Sequence, residues 1–146
     1  MLACDDRMVG LTDGERLARQ LETQGFLILP CHEPLWQAIQ ALWVVGARFF
    51  ALPQERKTRN VMAVEYDGYH DIGQEFSCTP DRPDLAEAFW ARLINVGKSC
   101  RLPDPEAGAL HRAALDVACE LELLLTRLTA ALARHYAPTW VPERKE

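Results

Sequence analysis

No stretch of this chain approaches the roughly 20 consecutive apolar residues that a membrane-spanning helix needs. Nor does a charged segment followed by an apolar run mark a secretory leader at its start. Cys-x-x-Cys pairs are missing too: Cys4, Cys31, Cys78, Cys100 and Cys119 are odd in number and far apart. That excludes the common zinc-knuckle and redox spacings and fits a reducing cytoplasm. A basic surplus is also lacking. With 16 Lys and Arg against 21 Asp and Glu, the net charge is −5, so no nucleic-acid partner is expected. The one dense basic cluster, Arg56-Lys57-Thr58-Arg59, reads as a solvated loop. What is present is ordinary for a globular chain, 49% hydrophobic and 25% charged. One domain spanning 1–146 is expected.

The pattern of apolar residues divides the chain into elements. Thr12 and Glu15 have capping-box spacing, Leu17, Ala18 and Leu21 then share a helical face, and Gly25 suits the left-handed position after a helix end. Phe26 to Leu29 is a short, wholly apolar run, read as a strand covered on both faces. Pro34 fits a first helical turn, and Leu35, Ile39, Leu42, Val45, Gly46 and Phe49 recur at helical spacing up to Leu52-Pro53. Gln54 to Lys57 predicts a second short helix, Val61 to Tyr66 a strand, and Asp67-Gly68 a turn. Residues 69 to 85 read as irregular, Trp90 to Val96 as a strand, and Gly97 to Gly108 as a loop. A long helix is predicted from about Leu110 to Tyr136, with Leu121, Leu125, Leu128 and Leu132 on one stripe.

Few constellations could carry chemistry. A facial iron(II) site takes two His and one carboxylate, usually written His-x-Asp or His-x-Glu with a distant second His. None of His32, His70, His111 and His135 has a carboxylate two positions on. His70, Asp71 and Glu75 form a rival ligand set, against which stands the plainer reading of a polar, solvated loop. His111 and Asp116 lie five positions apart, on different sides of a helix. Gly97-Lys98-Ser99 lacks the earlier glycine of a phosphate-binding loop, since Arg92 stands there. Cys31-His32 places a nucleophile beside a base with no third group. No metal or catalytic residue is assigned.

The order of several short motifs is more specific than any one of them. Gly25-Phe26 with its apolar run, Arg48-Phe49-Phe50-Ala51-Leu52-Pro53-Gln54-Glu55-Arg56-Lys57, Gly68-Tyr69, and Asp84 with Glu87-Ala88-Phe89 follow in that order. The sequence resembles the N-terminal region of the isopenicillin N synthase-like family of non-haem iron, 2-oxoglutarate-dependent oxygenases. Leu29-Pro30-Cys31-His32 departs from that family's usual Asn-His-Gly. The resemblance implies an α+β, mainly helical fold. It would have three to four helices and a small sheet of short strands, without the double-stranded β-helix (jelly-roll) core.

In that family the iron triad and the Arg-x-Ser that binds 2-oxoglutarate lie further along, in the jelly-roll. The sequence ends at Glu146, roughly where that barrel would begin. The resemblance therefore implies a non-catalytic N-terminal module, inactive alone, with Fe(II) and 2-oxoglutarate expected only alongside a catalytic domain. It also implies that Tyr69 and His70 line a substrate pocket in the intact enzyme. The strand Phe26 to Leu29 would be the edge that pairs with that domain or with a second copy. The alternative is an autonomous binding or assembly domain, in which the same strand pairs with Val61–Tyr66 or Trp90–Val96. A small enzyme with an unrecognised site has no supporting constellation.

Overall fold

The computed structural model describes residues 13–61, 67–76, 81–95, 102–137 and 139. Four α-helices and a two-stranded antiparallel sheet make up the regular structure, so the fold is α+β and mainly helical. Helix α1 is Gly14–Gln24, α2 is Glu33–Phe50, α3 is Gln54–Lys57 and α4 is Pro105–Tyr136; strands β1 and β2 are Gly68–His70 and Ala88–Trp90. Two compact units account for the contacts: Met1–Trp36 with Glu120–Glu146, and Gln37–Cys119. Among the described residues, no single helix is long and apolar enough to cross a membrane.

In the first unit, α1 begins at Asp13, whose side chain accepts a hydrogen bond from the Arg16 amide at 3.0 Å. The predicted cap Thr12 lies outside the described residues. The helix ends at Gly25, which is left-handed (φ 77°) and returns its amide to Leu21 O. Leu17 and Ala18 are its buried face. Gly14 lies against α4: a Cβ there would stand 2.1 Å from the Ala131 carbonyl oxygen. Backbone can approach this closely only where no side chain intervenes. The Tyr136 hydroxyl donates to Glu22 at 2.9 Å, and His32 Nε2 meets Glu120 Oε2 at 3.0 Å.

Phe26 to Leu29 does not form the predicted ladder. After the bend at Gly25-Phe26 these residues run irregularly into α2, and they have no strand partner among the described residues. Phe26 and Ile28 are 54% and 80% exposed, so the run is not covered on both faces either. A strand is defined by what it pairs with, and an apolar run carries no such partner in its own composition.

The second unit is built on aromatic packing. Phe49, Tyr69, Ala107 and Leu110 form its buried centre, with Leu42, Val45, Phe50, Leu52, Phe89 and Leu102 packed around them. Phe49 meets Phe50, Tyr69 and Phe89 edge-on at 5.3, 5.8 and 5.1 Å between ring centroids. Tyr69 and Phe89 are directly cross-strand in the hairpin. Three sequence boundaries move. The second strand is Ala88–Trp90, with a 3-10 turn at Leu93–Asn95 in place of the expected strand from Trp90. The strand expected from Val61 is, where described, a single bridge from Val61 to Gly68. Helix α4 starts at Pro105, inside the expected loop, because proline is preorganised for a first helical position and Asp104 Oδ1 caps the Glu106 amide at 3.0 Å.

Candidate functional site

The motifs quoted from the sequence meet in one place. Helix α2 delivers Phe49 to the core, Leu52-Pro53 turns the chain, and α3 starts with Pro53 at its N-cap. The short helix then carries Lys57 inward rather than into solvent. The Lys57 side chain is only 8% exposed, its Nζ lies 2.5 Å from Glu87 Oε2, and it sits 5.6 Å over the Tyr69 ring. The expectation of a solvated Arg56–Arg59 cluster is thus corrected at Lys57, while Arg56, Thr58 and Arg59 are exposed. A buried ammonium is tolerated only with an opposite charge in reach; Glu87 supplies the carboxylate and Tyr69 its ring face.

Tyr69 occupies the middle of this cluster and is fully buried. Its hydroxyl donates to Glu87 Oε2 at 2.7 Å and accepts from Gln54 Nε2 at 2.9 Å. Burial first, and then the hydrogen bond to the Glu87 carboxylate, push the phenol well above its ordinary value; the Gln54 bond opposes them. For Glu87, burial alone would raise the carboxyl. Hydrogen bonds from Lys57 and Tyr69, with the Lys57 charge, outweigh it and hold the group below its ordinary range.

Three further polar pairs close the same unit. Asn60, fully buried, donates from Nδ2 to Arg56 O at 2.7 Å and accepts from the Asp104 amide at 3.0 Å. Arg56 forks onto Asp104 Oδ2 through Nε (2.8 Å) and a terminal nitrogen (2.6 Å). Beneath the hairpin, His111 Nε2 lies 3.3 Å from Asp67 Oδ2, while Asp67 Oδ1 accepts from the Arg92 amide at 3.1 Å. Both side chains of the His111–Asp67 pair are buried, which closes them to a substrate. His111 therefore pairs with a residue 44 positions away, not with Asp116.

Of the two residues expected to line a pocket, Tyr69 spends its hydroxyl inside the cluster and His70 reaches the surface. The His70 ring lies 5.7 Å from that of Trp90, and Trp90 Nε1 donates to Glu75 Oε1 at 2.8 Å. His70 Nδ1 and Glu75 are 3.9 Å apart. Asp71 is drawn elsewhere, accepting from Gln54 and from the Ile72 amide. Among the described residues, no three His, Cys, Asp or Glu side chains gather as metal ligands.

The family model for the N-terminal region of the non-haem dioxygenases, described as "non-haem dioxygenase in morphine synthesis N-terminal", matches residues 13–114. The chain belongs to this family. No curated protein and no solved structure matches it. The match takes in every motif of this dioxygenase N-terminal module, from Gly25-Phe26 through Lys57 and Tyr69 to Glu87 and Phe89. The sequence did not disclose Asn60, Asp104, Asp67–His111 or His32–Glu120. Each depends on a partner at least 44 positions away, and no local spacing signals that.

Proposed function

We propose that this chain is the non-catalytic N-terminal scaffold of a 2-oxoglutarate- and iron(II)-dependent oxygenase, with the metal and cosubstrate ligands supplied by a jelly-roll domain. The observation that carries this reading is the convergence of its motifs. Phe49, Lys57, Tyr69, Glu87 and Phe89, from three separated segments, form one interlocked cluster whose Lys57, Tyr69 and Glu87 bond to one another. Such a cluster fixes a hairpin against a helix, which supports a scaffold role.

Among the described residues, no three His, Cys, Asp or Glu side chains gather to hold an iron. His32 faces Glu120, His70 faces Glu75 and His111 faces Asp67, at three separate places. A facial site needs three ligands on one metal face, so no step is routed through iron here. In the intact enzyme His70 would stand at the substrate mouth, held by the Trp90 and Glu75 contacts, with Tyr69 anchoring its strand from below. The exposed Phe26 and Ile28 support a module that docks on a catalytic domain rather than an autonomous one, in which that segment would be paired.

Iron(II) titration of the chain, with 2-oxoglutarate consumption as a second readout, tests the proposal. No stoichiometric iron site and no consumption are expected. One tightly bound iron per chain would overturn it.

A further inference from the structure

We draw no further inference here: the strongest candidate, the surface patch of exposed Leu121 and Leu125 on α4, carries nothing because no feature of the structure shows what covers it.

Discussion

The unit Gln37–Cys119 and the unit formed by Met1–Trp36 with Glu120–Glu146 are held together by different kinds of contact. Among the described residues, the buried polar or charged side chains (Lys57, Asn60, Asp67, Asp104 and His111) all belong to the unit Gln37–Cys119. In the other, the buried side chains are the apolar Leu17, Ala18, Leu35 and Ala131. Apolar contact is non-directional and tolerates many arrangements. A buried ion pair with hydrogen bonds on every side tolerates very few, since each unmet group is costly. The family's motifs are concentrated where the geometry is least negotiable. In sequence they look catalytic, with Lys, Tyr and Glu in fixed order; in the fold their side chains bond to one another.

The largest break in this contrast should come from Lys57→Met. It removes the cation that Glu87 and Tyr69 surround and leaves a mostly buried carboxylate without its partner, at a cost of about 3 kcal/mol. Urea unfolding measures the loss, and adding Glu87→Gln should recover about half of it by removing the orphaned charge. A single variant as stable as the parent would show that the cluster is not a stabilising latch. Gly14→Ala attacks the other unit. Its Cβ would stand 2.1 Å from the Ala131 carbonyl, and backbone yields less readily than a side chain. A loss of about 2 kcal/mol is expected, with hydrogen-exchange protection falling in α1 while the amides of α3 and β1 keep theirs. Equal loss in both units would erase the distinction drawn between them.

The sequence showed the helices more faithfully than the pairings. The stripe from Leu35 to Phe49 and the long C-terminal stripe announce α2 and α4, because helical spacing repeats along the same segment, although Leu121 and Leu125 of the second stripe are exposed. Gly25 announced its own left-handed cap for the same local reason. Phe26 to Leu29 was misread because a ladder needs a second strand, and hydrophobicity alone does not supply one. Lys57 was misread for the opposite reason. A basic run predicts solvent until a carboxylate 30 positions on, Glu87, is known to stand beside it. The resemblance did select Lys57, Tyr69 and Glu87, but as members of separate motifs; only the fold makes them one cluster.

A subtler test uses pH. Glu87 is depressed in the folded chain, so its contribution is fully present above the ordinary carboxyl value of 4.5 and is lost as pH falls through the folded value. Tyr69 is raised, so its contribution is fully present below the ordinary phenol value of 10.0 and is lost as pH climbs through the folded one. Stability of this unit should therefore be flat between those limits and fall on both sides. Tyr69→Phe should cost about 1 kcal/mol on the plateau, the net worth of a hydroxyl's hydrogen bonding, and flatten the alkaline fall. Tyr136, raised chiefly by its hydrogen bond to Glu22, adds to the same limb, so the comparison is made in a Tyr136→Phe background. Denaturation midpoints across pH, with phenolate absorbance, report both. An unchanged alkaline limb in the Tyr69→Phe chain would mean that the phenol is not linked to folding.

The smallest effect belongs to the start of α1, where structure and sequence name different caps. In the structure the Asp13 carboxylate receives the Arg16 amide at 3.0 Å, which satisfies one of the free donors of the first turn. The capping-box reading of Thr12 with Glu15 would start the helix one residue earlier. Asp13 is exposed, so Asp13→Ala should cost only about 0.5 kcal/mol, the low end for a lost cap. The loss should appear as fraying of α1 in hydrogen exchange rather than as a shift in the hairpin amides. Thr12→Ala should leave the same amides unchanged, because the carboxylate of Asp13 already serves the turn. If instead Thr12→Ala frays α1 and Asp13→Ala does not, the helix begins where the sequence pattern put it. The first unit would then owe its N-terminal boundary to a reciprocal box rather than to one aspartate.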